Sequence, residues 1–268
     1  MNPFRALLNT QAESITQGVD KTVLDPMVRW SVDPEQVRLV LEREGNFGWI
    51  RTTKEGKFWA TVLDDDPVSA KQLASELAPY SFSGITCHAQ VWEYLWATWP
   101  GRQNFGTGEP DRGLWSLWAC QADAVLTPEP SGELAVVLRP DDERIQPLLA
   151  NSTSAHVFPG DLRILNWVGI EDGAELVAVA GQILAQGGAS EVVSVCTHPN
   201  FRGRGYAGQC VTEVVRLSRQ TGFQTVILEA YTENLPAAAV YHRVGFTEVG
   251  RYCSWELASP AEFGFDLS

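Results

Sequence analysis

Hydrophobic residues recur with two periods along residues 133–257 of this 268-residue chain, and the switches between them mark its elements. Residues 191–197 form a Val-rich run of strand length. Residues 206–221 place Ala207, Cys210, Val211, Val214 and Val215 at helical spacing on one face, and Gly222 ends the run. Residues 225–231 read as a strand, 236–244 as a short helix and 246–257 as a strand pair. Upstream, 133–139 is predicted as a strand and 141–150 as a helix. Residues 163–170 and 174–182 make a hairpin around Glu171-Asp172-Gly173.

The first half is less regular. Residues 48–53 and 57–63 read as a hairpin turning at Glu55-Gly56. Asp66 can cap a helix opening at Pro67, with Ala70, Leu73, Ala74 and Leu77 on one face. A second helix, from about 88 to 99, aligns Trp92, Leu95, Trp96 and Trp99, and a strand follows near 114–120. Eight of the ten tryptophans lie here, and aromatic stripes at helical spacing read as packing. The Pro-rich stretch from Leu126 to Gly132 has no periodicity. The expected organisation is an N-terminal α/β domain over 1–126, a linker over 127–132 and a second domain over 133–268.

Composition narrows the function classes. A net charge of −13 opposes nonspecific nucleic-acid binding and makes any local basic cluster informative. The charge is compatible with a cationic amine as substrate, or simply keeps the chain in solution. No run approaches the eighteen or so apolar residues of a membrane span, and the first thirteen residues lack a signal-like core. The five cysteines are odd in number and widely spaced, so neither a disulfide framework nor a metal site is indicated, and a cytoplasmic protein is expected.

The basic cluster lies at a strand-to-helix junction. In Val195-Cys196-Thr197-His198-Pro199-Asn200-Phe201-Arg202-Gly203-Arg204-Gly205-Tyr206-Ala207-Gly208, two glycines allow close backbone approach beside two arginines. The first helical amides, lacking internal partners, make an anion site. The same residues spell G-x-G-x-x-G, with Glu229 near the distance of a ribose-binding acid. Against a dinucleotide fold stand residues 198–202, which separate strand from glycines, and the short chain left after Glu229.

This segment is similar to the R-x-x-G-x-A pyrophosphate motif of the GCN5-related N-acetyltransferases, with Arg202, Gly205 and Ala207 at its positions. Asn234 to Phe246, with Ala237, Tyr241 and Gly245 between, resembles the family's N-x-x-A-x-x-φ-Y-x-x-x-G-F signature. The interval from Val195 to Pro199 is longer than the family's common V-x-P form. The resemblance covers roughly 133–257. It implies an α/β (α+β) fold, a mixed and mostly antiparallel twisted sheet flanked by helices, and an acetyltransferase using acetyl-CoA. The first half, with the same order of elements, can then be a degenerate copy lacking the loop.

The resemblance also implies site roles. The amides of Gly203, Arg204, Gly205, Tyr206, Ala207 and Gly208, with the Arg202 side chain, would hold the pyrophosphate. Strands 191–197 and 225–231 would splay apart to admit the pantetheine arm, which would pair with backbone near Val193 and Val195, and Asn234 would tie its loop to the cofactor or to backbone. Tyr241 would donate to the departing thiolate, or else be a core tyrosine. Glu191 matches the family's carboxylate base, or else a solvent-facing strand end. Glu229, Glu233 and His198 are weaker candidates for the base. The expected partner is a small-molecule or peptide amine, with no nucleic acid or membrane, and homodimerisation is left open. A non-catalytic acyl-CoA sensor is the alternative from another class.

Overall fold

The structure is a computed structural model describing residues 25–33, 35–43, 46–53, 56–78, 80, 82–98, 112–127 and 135–257. Its elements follow in chain order. The first half has α1 (Pro26–Trp30), β1 (Val37–Arg43), β2 (Asn46–Thr52), β3 (Phe58–Leu63), α2 (Pro67–Leu77), β4 (Gly84–His88), α3 (Trp92–Thr98) and β5 (Arg112–Gln121). Then come β6 (Ala135–Leu138), α4 (Ile145–Leu149), β7 (Ile164–Asp172), β8 (Glu175–Leu184) and β9 (Ser190–Thr197). After these come α5 (Tyr206–Gln220), β10 (Thr225–Tyr231), α6 (Leu235–Val244) and β11 (Thr247–Glu256). The fold is mixed α/β, with mostly antiparallel strands flanked by helices. The chain divides into two compact units, Met1–Ser116 with Gly250–Ser268, and Leu117–Val249. Most of the expected 127–132 linker lies outside the described residues.

In the first unit the strand order is β1-β2-β3-β4-β11-β5, with β3 and β4 parallel and the other registered pairs antiparallel. Its core joins Ala70, Leu73, Ala74 and Leu77 of α2 to Ile50, Ala60, Val62, Ile85 and Cys87 of the strands. Trp92 and Trp96 belong to this core, as their spacing predicts. Helix α3 begins at Trp92 rather than near 88, because Gly84–His88 is taken up as a strand between β3 and β11.

In the second unit the order is β5-β10-β9-β8-β7-β6, with the β7–β8 hairpin where the turn chemistry places it. Cys210, Val211, Val214 and Val215 of α5 are fully buried against Ala178, Ala180, Val192, Val226 and Leu228. Burying each such valine stabilises the unit by about 1.5–3 kcal/mol. Behind them, Gln182 Nε2 donates to Ser218 Oγ (2.9 Å) and Ser190 Oγ (3.2 Å), while Asn166 Nδ2 donates to Gln182 Oε1 (2.7 Å). A satisfied polar network of this kind sets the register of α5 on β8 and β9.

Two further expectations change. The helix expected over 141–150 shrinks to Ile145–Leu149, because the Asp142 carboxylate accepts from the Arg144 amide and offers the backbone a turn instead. Residues 246–257 form one strand rather than two. Gly250 does not turn the chain; it leaves room for the Tyr252 hydroxyl, which would meet an added Cβ at 2.4 Å.

Candidate functional site

The site is built where β9 and β10 part. They pair in parallel at Ser190–Val226 and Glu191–Ile227, after which β9 runs on to Thr197 and β10 to Tyr231 without a further registered pair. Alternation along β9 puts Val192 on the α5 side, in the cluster that holds Tyr241. Glu191 and Val193 therefore face the other side, where Val193 packs with Val157 and Ile183. Two residues past Ile227, Glu229 shares Glu191's face.

The loop after β9 has the geometry of an anion cradle. His198 Nδ1 accepts from the Asn200 amide (3.3 Å) and closes a short turn over Pro199–Phe201. Arg202 Nε donates to the Thr197 carbonyl (3.2 Å), and the Arg204 guanidinium stands 4.8 Å from the Phe201 ring centre. Gly203 and Gly205 adopt left-handed backbone, with φ of 77° and 81°. Gly205 caps α5 without a side chain, so no side chain satisfies the first-turn amides of Tyr206, Ala207 and Gly208. Both arginines and both glycines of the 202–205 stretch are exposed. Gly208 is different: it is buried, and an added Cβ would lie 3.6 Å from Val240 on α6. These residues fit a diphosphate held by backbone amides with flanking positive charge.

Tyr241 lies in α6, which ends at Gly245 in the left-handed region. Its ring packs 6.4 Å from Trp118 and 6.3 Å from Phe246, and the residue is 7% exposed. Burial pushes its hydroxyl up to about 12, so it stays protonated at neutral pH and is able to donate. Asn234 is the N-cap of α6: its side-chain oxygen accepts from the Ala237 amide at 3.2 Å. One lone pair of that oxygen is used by the chain itself, which leaves its second lone pair and the amide nitrogen to meet a ligand.

Burial is the main cause that raises the Glu191 carboxyl to about 8; the Glu229 carboxylate adds to it and the Arg163 charge opposes it. Such an acid, placed where two strands separate, is a candidate proton acceptor near neutral pH. His198 lies 4.0 Å from the Glu175 carboxylate, on the loop side. Glu233 is exposed just before the Asn234 cap. Among the described residues no group of three or more His, Cys, Asp or Glu could hold a metal, and no helix is long and apolar enough to cross a membrane. All five cysteines are free and buried. The alternative dinucleotide fold does not hold, because β9, the strand before the glycine loop, has antiparallel β8 as its other neighbour.

Sequence reasoning missed Ser194. The register on β8 steps from Val179 to Gly181 while β9 steps from Cys196 back to Val193, which leaves one extra residue in β9. Ser194 sits there with φ of 51°. A serine interrupting a valine run was the available signal.

Comparison with known proteins agrees with the fold. The family described as FR47-like protein matches residues 167–255. A GCN5-related N-acetyltransferase from Kribbella flavida superposes with a TM-score of 0.53 at 14% identity, over 94% of this chain and 96% of that one. An acetyltransferase of the GNAT family from Colwellia psychrerythraea gives a TM-score of 0.50 at 13% identity, over 82% of this chain and 84% of that one. No curated protein matches the chain. Residues 167–255 thus match the FR47-like family, and the chain shares the fold of these acetyltransferases.

Proposed function

We propose that the second unit transfers an acetyl group from acetyl-CoA to a primary amine by direct attack, with both substrates bound together. The observation that carries this reading is the parting of β9 and β10 beside an α-helix whose first amides no side chain caps. A pyrophosphate held by the amides of residues 203–208 and by Arg202 leaves the gap between the strands to the pantetheine arm. The thioester would then lie with Glu191 on one face and Tyr241 on the other.

An amine with a lysine-like pKa is neutral in only one part in a few thousand at pH 7, a handicap of about 4–5 kcal/mol. Glu191, held up to about 8, can take the proton as nitrogen attacks the carbonyl carbon. The N–C bond forms, the C–S bond breaks, and the thiolate leaves with the sulfur electron pair. Full proton transfer from a hydroxyl near 12 to a thiolate near 8.5 is uphill by about 4–5 kcal/mol. Tyr241 therefore acts as a hydrogen-bond donor to the developing charge, and the thiol's proton comes from the released amine proton or water. Cysteine chemistry has no part, since burial raises the Cys196 and Cys210 thiols.

The test is calorimetry with acetyl-CoA followed by a thiol-release assay over a panel of primary amines. One equivalent bound and amine-dependent thiol release are expected. Binding without release on any amine would favour the sensor, and tighter binding of NAD than of CoA would overturn the reading.

A further inference from the structure

Among the described residues, Ser194 alone has a positive φ without being glycine. A left-handed L-residue costs about 1–2 kcal/mol, so something in the surroundings must hold it there. The serine hydroxyl supplies the restraint. Ser194 Oγ donates to the Val157 carbonyl at 2.7 Å and accepts from the Val157 amide at 3.2 Å. One side chain thus satisfies both backbone groups of a fully buried residue that belongs to no helix or strand. The Val157 side chain in turn packs on Val193 and Ile183, so the clamp and the apolar contact bracket the bulge from one side.

The bulge removes one residue of β9 from the β8 ladder on the stretch where β10 no longer pairs. We propose that Ser194 is a positioning residue for the acyl donor: its hydroxyl, clamped to Val157, holds the 193–195 backbone in the shape that receives the donor's extended arm. This rests on the donor site proposed above. Ser194 would touch neither the diphosphate loop nor the reacting atoms. Its loss should therefore weaken the arm's contribution and spare the nucleotide end.

The experiment compares two ligands on the full chain, acetyl-CoA and 3′-phosphoadenosine 5′-diphosphate, which stops at the diphosphate. Two variants separate strain from clamp: Ser194→Gly accepts the left-handed backbone without a hydroxyl, and Ser194→Ala has neither advantage. Both should weaken acetyl-CoA by about 5- to 20-fold, the worth of one or two hydrogen bonds, with the truncated nucleotide changed less than about two-fold. Unchanged acetyl-CoA affinity in either variant would overturn the clamp, as would equal losses for both ligands, which mark a structural role. Should the variants not fold, hydrogen exchange at the wild-type Val157 amide decides: it should slow with acetyl-CoA and not with the truncated nucleotide, and equal or absent slowing overturns the proposal. Wild-type protein that binds neither ligand would refute the donor site itself.

Discussion

The two units each contain a strand, a helix and a parallel strand, and they finish this arrangement in opposite ways. In the second unit the strand β9 ends in a loop with Arg202, Gly203, Arg204 and Gly205, and no side chain caps α5. In the first, β3 ends in Asp64-Asp65-Asp66-Pro67. There the Asp66 carboxylate accepts from the amides of Val68 (3.1 Å) and Ser69 (2.8 Å), and Pro67 has no amide to offer. The first-turn donors that would meet a phosphate are taken by the chain's own carboxylate, among acids that repel one.

The strands differ as well. β9 and β10 lose registered pairing after Glu191–Ile227, whereas β3 and β4 stay paired through Val62–Cys87, one residue short of either strand's end. Trp59 reinforces the closed pair: its ring lies over Gly84, where an added Cβ would come within 2.2 Å, and its Nε1 donates to Thr86 Oγ1 at 2.9 Å. A helix N-terminus becomes an anion site when it is left uncapped, and a parallel strand pair becomes a cleft when it is left unpaired. The same order of elements can thus yield a ligand site or a closed scaffold.

The contrast breaks most severely at Gly205. Gly205→Val places a β-branched residue at a φ of 81°, where the backbone must also approach the ligand. Acetyl-CoA affinity should fall by more than about 100-fold by calorimetry, and wild-type affinity would show that the loop is not the cradle. Tyr241→Phe keeps the ring between Trp118 and Phe246 and removes the donor. Turnover should drop by about one to three orders of magnitude with little change in acetyl-CoA affinity. Parallel losses of binding and thermal stability would mark Tyr241 as a packing residue instead.

Glu191 sharpens the contrast through pH. A base with its pKa near 8 gains activity as pH rises through that value, so kcat/KM should climb between about pH 6 and 8. Glu191→Gln should remove that limb and lower the rate by about 10- to 100-fold. The same raised pKa means that the folded chain favours the protonated acid. Its stability contribution is full below the ordinary carboxylate range and is lost as pH rises through about 8, so the Gln variant should lose less stability over that window. A wild-type rate that is flat with pH would assign the proton to water.

Smaller effects are expected in the first unit. Asp66→Ala should cost about 1 kcal/mol of stability, seen as a shift of a few degrees in Tm, with one equivalent of acetyl-CoA still bound. A second equivalent would mean that the cap alone had closed a working site. The mildest change concerns His88. Burial works against its charge, but the Asp25 carboxylate 2.8 Å from Nε2 and the charge of Asp65 outweigh this and raise its pKa. Its contribution is present below about pH 6.5 and lost as pH rises through the raised value. His88→Asn should flatten that loss in a Tm series from pH 6 to 9, and an identical slope would detach the histidine from the first unit's stability.

The loop chemistry, the apolar face of α5, the Asp66 cap and the β7–β8 turn were all legible in the sequence, because each depends on residues within a few positions of one another. Glycine's freedom at 203 and 205 and the spacing of Cys210, Val211, Val214 and Val215 need no distant partner. The opening beside Glu191 followed from the family resemblance and not from the strand's own residues, since a valine-rich strand reads the same whether or not its neighbour stays paired. The tertiary structure alone decided two things: that Ser194 turns out of register onto Val157, and that Glu191 shares its face with Glu229 in surroundings that raise its pKa. Each depends on groups tens of residues apart in the chain, and strand pairing, desolvation and charge coupling are set by distance in space.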